Sequence, residues 1–253
     1  MKTRPPFPDW PYHPHKSSPH SGTQPSNRTR GEPVLSRSKG SRTSRRLAHL
    51  YVGLTLYGLS CALMVRAGIG LDPWDTFHQG LGEQTGWSMG VATIVVGAAV
   101  LLLWIPIRQR PGLGTVSNVV VIGLAMDASL AVLPDAHGLA LQIPQMLAGV
   151  VLNGVATGMY ISARYGPGPR DGLMTGLHRR TGLSVRLVRT LIEIAVLASG
   201  WALGGAVGAG TVVYALAIGP LAQFFLRVFA IPEPAPAEPE PADGAECDAT
   251  PAR

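Results

Sequence analysis

Between Leu47 and Ile231 the chain alternates long apolar runs with short polar breaks. A helix needs about 20 predominantly apolar residues to cross the hydrocarbon core of a bilayer. Six segments reach that length: 47–65, 88–107, 115–133, 143–163, 187–207 and 211–231. Asp127 interrupts the third, Arg189 and Glu193 lie in the fifth, and Arg227 closes the sixth. The pattern predicts an all-α polytopic membrane protein with about six transmembrane helices.

Two of the polar breaks are long enough to hold an element of their own. The first runs Gly68, Ile69, Gly70, Leu71, Asp72, Pro73, Trp74, Asp75, and the second runs Tyr165, Gly166, Pro167, Gly168, Pro169, Arg170, Asp171. Proline suits the first helical position because its fixed φ is already helical and its missing N–H costs nothing there. Asp72 and Gly168 then fall at the cap. Asp75 and Asp171 fall in the first turn, where an acid can reach back to the cap N–H and meets the positive helix end. Short helices are expected over 73–83 and 169–180, each following the first span of its half and either dipping into the bilayer or lying on its surface.

The halves repeat. At a fixed offset of 96 positions, Gly53–Leu130 and Gly149–Leu226 share 22 identities in 78 positions without a gap. Scattered Leu and Val matches would follow from apolar composition alone. That composition would not align Pro73 with Pro169, Asp75 with Asp171, Thr85 with Thr181, and Gly112, Gly114 and Thr115 with Gly208, Gly210 and Thr211. The repeats cover 47–134 and 143–231. With three spans in each, the second copy enters from the opposite side, so two inverted three-helix repeats are expected, an arrangement common in secondary transporters.

Composition sharpens this picture mainly through where the charges sit. Charged residues make up only 14% of the chain, against about 25% in a soluble domain. Residues 1–46 hold 10 of the 21 Lys and Arg in a Pro- and Ser-rich arm without apolar periodicity, and 232–253 hold 6 of the 15 Asp and Glu in a Pro-rich tail. Both are expected to be disordered. His13, His15 and His20 belong to that arm and are read as solvated, not as metal ligands. The net charge of +6 comes mainly from the arm, which is more simply an orientation signal and a contact for anionic lipid than a nucleic-acid site. With the N-terminus inside, the inner segments carry Lys39, Arg42, Arg45, Arg46, Arg108, Arg110, Arg164, Arg170, Arg179, Arg180, Arg186 and Arg227, and the outer ones carry Arg66 alone. Both termini are therefore expected to be cytoplasmic.

Ionisable residues within spans are costly and usually face a bundle interior or a cavity. Asp127 has no partner at helical spacing and is the preferred candidate for proton or cation coupling. Glu193 lies four residues after Arg189 and can pair with it on one face. Thr115 and Thr211 follow Gly-x-Gly groups, and two readings stay open: simple N-caps, or two helix N-termini facing each other around an anionic group. The candidate ligand- or ion-binding residues are thus Asp72, Asp75, Thr115, Asp127, Arg170, Asp171, Glu193 and Thr211. No catalytic constellation, metal-ligand spacing or phosphate loop appears, so no enzyme activity, metal or cofactor is expected.

The motifs resemble a known family. Gly-x-Gly-x-Asp-Pro-Trp-Asp from Gly68, Gly-x-Gly-Thr-x-x-Asn from Gly112 and Gly-Pro-Gly-Pro-Arg-Asp-Gly-Leu-Met from Gly166 look like the YczE-type bacterial membrane proteins, which are similar to the broader YitT-like group. The likeness covers about residues 47–230. It implies a multi-pass protein of the bacterial cytoplasmic membrane and no established reaction. Partners would be the lipid bilayer and a small-molecule or ion substrate, with no nucleic acid, and the oligomeric state stays open. Two functions remain in view: a small-solute permease or secondary transporter with its site between the repeats, and a non-transporting membrane accessory or assembly module.

Overall fold

The structure, a computed structural model, describes residues 39–231. Eight helices follow one another among these residues: α1 (Lys39–Ala67), α2 (Pro73–Thr85), α3 (Met89–Ile107), α4 (Leu113–Val132), α5 (Leu139–Ser162), α6 (Pro169–Thr181), α7 (Val185–Ala202) and α8 (Ala209–Val228). The acidic tail and all of the basic arm except its end lie outside the described residues. That end belongs to α1, which begins at Lys39 and not at Leu47.

The duplication read from the sequence recurs in the helix boundaries. The starts of α2, α3 and α4 at residues 73, 89 and 113 are followed 96 positions later by those of α6, α7 and α8 at 169, 185 and 209. Local chemistry explains the shared starts and stops. Asp72 caps α2 by accepting from the Trp74 and Asp75 N–H groups, with Pro73 behind it. Ser88 and Ser184 cap α3 and α7 through the Val91 and Leu187 N–H groups. The short helices α2 and α6 both end on a left-handed glycine, Gly86 and Gly182, where a side chain would be strained.

Among the described residues five helices are long and apolar enough to cross a membrane: α1 over Thr43–Ala67, α3, α4, α5 and α8. The expected fifth span, 187–207, is the one that differs. Its helix, α7, stops at Ala202 well short of residue 207 and holds Arg186, Arg189 and Glu193 within 18 residues. Much of the outer surface is apolar: Ile105, Val132 and Leu216 are 71%, 83% and 74% exposed. On helices of membrane-spanning length, a surface of that kind is a lipid-facing one. The protein is a multi-pass α-helical membrane protein.

The core is the crossing of α1 with its repeat mate α5. Asn153 donates to the Ser60 hydroxyl at 2.9 Å, and Arg46 donates to the Ala163 carbonyl at 2.9 Å. The partner number falls along α5 as it rises along α1, so the two run antiparallel. Glycine lets them approach: a Cβ at Gly53 would lie 2.9 Å from the Tyr160 nitrogen. Around this pair the packing exchanges between halves. Helix α4 lies on α1 and α8 on α5, whereas α2 packs on α7 and α6 on α3. One contact has no counterpart: α3 packs along α4, and α7 makes no comparable contact with α8.

Candidate functional site

The connections before α2 and α6 are held by the opposite half. Gly70 and Gly166, repeat mates, take positive φ values of 118° and 117°, which turns each connection back toward the start of a distant helix. The Gly210 N–H, in the first turn of α8, donates to the Ile69 carbonyl at 2.8 Å. Its mate Gly114, in the first turn of α4, donates to the Tyr165 carbonyl at 2.9 Å. Thr115 accepts from the Gly112 N–H at 3.1 Å and donates to the Pro167 carbonyl at 2.8 Å. Thr211 accepts from the Gly208 N–H at 3.2 Å.

These contacts correct both readings of the Gly-x-Gly-Thr groups. The caps are Gly112 and Gly208, and the threonines sit at the third helical position and bond back to them. The helix starts do face the other half, but loop carbonyls take up N–H groups there, which removes the donors an anion would need. Thr115→Val, which keeps the shape and removes both bonds, is expected to lower stability by about 1–2 kcal/mol. Thermal unfolding of the purified chain in detergent checks it; an unchanged midpoint would mean that the loop is held by the backbone bonds alone.

Anchored in this way, the two connections bring Asp72 and Arg170 together. Arg170 Nη1 lies 3.7 Å from Asp72 Oδ1, and the guanidinium sits over the Trp74 ring, 4.9 Å from its centroid. Trp74 and Arg170 are themselves mates at the offset of 96. This contact therefore joins the two halves at matching positions.

Asp72 and Asp75 are each 1% exposed and His78 is 2% exposed. The His78 Nδ1 lies 3.2 Å from both Asp75 Oδ1 and Thr93 Oγ1. The second carboxylate oxygens of Asp72 and Asp75 and the Trp74 Nε1 are buried without a hydrogen-bond partner. Asp72 lies in the connection between helices, where burial and then the Asp75 carboxyl raise its pKa to about 7, with Arg170 pulling the other way. The Cys61 sulfur and one oxygen from each acid lie within 4.8 Å of one another. With the Arg170 guanidinium already against Asp72, this trio is a poor seat for a divalent metal ion, and we do not read it as one.

The other candidates lie elsewhere. Asp171 accepts from the Tyr160 hydroxyl at 3.1 Å, so the two first-turn acids, Asp75 and Asp171, serve separate networks. Asp127, expected to lack a local partner, has two: the Ser88 hydroxyl at 2.5 Å and the Gly90 N–H at 2.7 Å. It ties α4 to the start of α3, a structural task that spacing within one helix could not reveal. Glu193 pairs with Arg189 at 2.8 Å on a half-exposed face of α7. A cavity of about 400 Å³ opens beside Trp74, lined by apolar side chains including Phe77, Val100, Leu103, Leu173 and Ile192.

His78, Cys61 and the stacking role of Trp74 escaped the sequence reading. His78 and Cys61 lie in helices with no motif around them, and the motif that holds Trp74 gives no sign of its stack on Arg170. Their repeat mates are Met174, Thr157 and Arg170, so the duplication carried no signal for them.

Residues 44–227 match DUF6198, a family of unknown function. The chain belongs to that family. The chain is similar to an uncharacterised protein of Haemophilus influenzae (strain ATCC 51907 / DSM 11121 / KW20 / Rd), 36% identical over 78% of this chain and 93% of that one. The chain is also similar to the uncharacterised membrane protein YczE of Bacillus subtilis (strain 168), 33% identical over 70% of this chain and 83% of that protein. The uncharacterised protein YyaS of the same organism is 23% identical over 70% of this chain and 90% of its own length. No solved structure matches. The YczE-type resemblance read from the motifs therefore holds for this DUF6198 chain.

Proposed function

We propose that this membrane protein is a small-solute permease or secondary transporter, not an enzyme, with its site where the two repeats meet. The observation that carries the reading is the contact of Asp72 with Arg170, one charge from each repeat, beside the stacked mates Trp74 and Arg170. With the arginine-rich connections taken as cytoplasmic, the loop before α2 opens outward and the loop before α6 opens inward. Loops entering from opposite sides touch only if both reach toward the middle of the bilayer. Irregular backbone at that depth needs protein or a cavity around it, and inverted-repeat transporters put their sites there. The antiparallel crossing of α1 and α5 supports inverted insertion in a bacterial cytoplasmic membrane; both termini lie inside when α7 crosses as a sixth span. Rocking one half against the other would break and remake the Asp72–Arg170 contact.

Flux into proteoliposomes tests this. Wild-type protein is expected to move at least one small solute, and Asp72→Asn to slow it strongly while folding. Folded wild-type protein that moves neither solute nor protons across a broad panel would overturn the reading. The apolar lining of the cavity beside Trp74 favours the second reading, an accessory module that carries nothing. A stable complex in pull-downs, with phenotypes that survive Asp72→Asn, would favour it.

A further inference from the structure

Four protonation states are open to the cluster formed by Asp72, Asp75 and Arg170. With both acids ionised, the two carboxylates exceed the one guanidinium and leave a net negative charge among residues that are 1% exposed. With both protonated, the guanidinium is left uncompensated. A single proton balances the set, and it can sit on either acid. Uncompensated buried charge is expensive, whereas a balanced and hydrogen-bonded set is tolerated.

The hydrogen bonds point the same way. Asp72 Oδ1 already accepts from the Trp74 N–H at 2.9 Å and the Asp75 N–H at 3.3 Å and faces Arg170, while Asp75 Oδ1 faces His78. The oxygens left over, Oδ2 of each acid, are buried and have no partner. Two acceptors without a donor are a defect that one proton repairs, because a protonated carboxyl donates to the other. The groups around them add no second positive charge near neutral pH. Tyr57 and Cys61 face them from α1, His78 from α2, and Tyr214 from α8, and Arg170 is the one fixed cation. A hard metal ion would need about six oxygen ligands, and two free oxygens fall well short.

We infer that Asp72 and Asp75 together hold one exchangeable proton, an O–H bond forming on one carboxylate and the proton returning to water when it leaves. Used as a coupling ion, this proton rests on the transport reading; as a binding site it stands without it.

Infrared difference spectroscopy on the full purified chain reads it directly, between about pH 6 and about pH 9, where ordinary carboxyls stay ionised. The wild type is expected to show one protonated-carboxyl carbonyl band that is lost as pH rises. Asp72→Asn and Asp75→Asn should each abolish the titrating band, and Asp127→Asn and Asp171→Asn should keep it. The inference is overturned if folded wild type shows no such band. It is equally overturned if the band survives both substitutions, or if sodium or zinc chloride removes it at constant pH. The wild-type titration and the salt additions decide even if a variant fails to fold. A band without solute flux would sink the transport reading and leave the proton site standing. Flux that ignores pH, with no band, would sink this inference alone.

Discussion

Arg170→Gln is expected to destabilise the folded protein by about 3 kcal/mol, and by more as pH rises. Removing one partner of a buried ion pair typically costs about 3–5 kcal/mol, because the charge left behind has neither water nor counter-ion. The lower end applies because the Arg170 side chain keeps 26% of its exposure while Asp72 keeps 2%. The pH dependence follows from what the acids can do to compensate. Without the guanidinium, burial pushes the Asp72 carboxyl further above its unfolded value. A group with a raised folded pKa contributes stability that is present at low pH and lost as pH rises through the folded value. The melting midpoint of Arg170→Gln should therefore fall further below wild type at about pH 8 than at about pH 6. Arg170→Lys should recover part of the loss, since it restores the charge but not the planar stack on Trp74. Equal deficits for the glutamine variant at both pH values would show that the acids are not electrostatically coupled to Arg170.

Gly123→Ala and Gly219→Ala are expected to differ, although the two glycines are repeat mates at the offset of 96. In an exposed helix interior, alanine is favoured over glycine by about 1 kcal/mol. At Gly123, on α4, the new Cβ would lie 2.6 Å from the Gly90 carbonyl oxygen and 2.6 Å from Ile94 Cγ1 of α3. A backbone carbonyl on a packed neighbouring helix cannot rotate aside, so overpacking of about 1–3 kcal/mol outweighs the propensity gain. At Gly219, on α8, the Cβ meets nothing within 4 Å. There the following Pro220 crowds a Cβ and removes part of the benefit, so the variant should stay within about 1 kcal/mol of wild type. The cause of the difference is the missing contact between α7 and α8. Thermal unfolding of both variants in one detergent checks it, and matching losses would mean that α8 packs as α4 does.

Much of the fold is legible in the sequence. Membrane helices are written in apolar length, and the caps at Asp72, Ser88 and Ser184 are local chemistry, so the helix starts followed. Duplication was legible because turn and cap residues such as Pro73 and Pro169 are not interchangeable. Apolar length overextends the fifth span because hydropathy says nothing about where a chain breaks into a turn: α7 ends at Ala202. The start of α1 at Lys39 was missed for the converse reason, since a polar extension of a helix carries no apolar signal.

The candidate site divides along the same line. Asp72, Asp75, Arg170 and Asp171 were recognisable as chemistry-bearing residues because motif and repeat both marked them. Which of them meet was not recognisable. The first-turn acids form separate networks, Asp127 serves the start of α3, and Asp72 finds Arg170 in the other half. Apolar length, caps and repeats are properties of neighbours along the chain, and sequence carries them completely. Pairing between residues about a hundred positions apart depends on how two helical halves cross, which is set by the summed packing of α1 against α5 and of each short helix against the opposite half. No single residue records that sum, so only the tertiary structure could decide it.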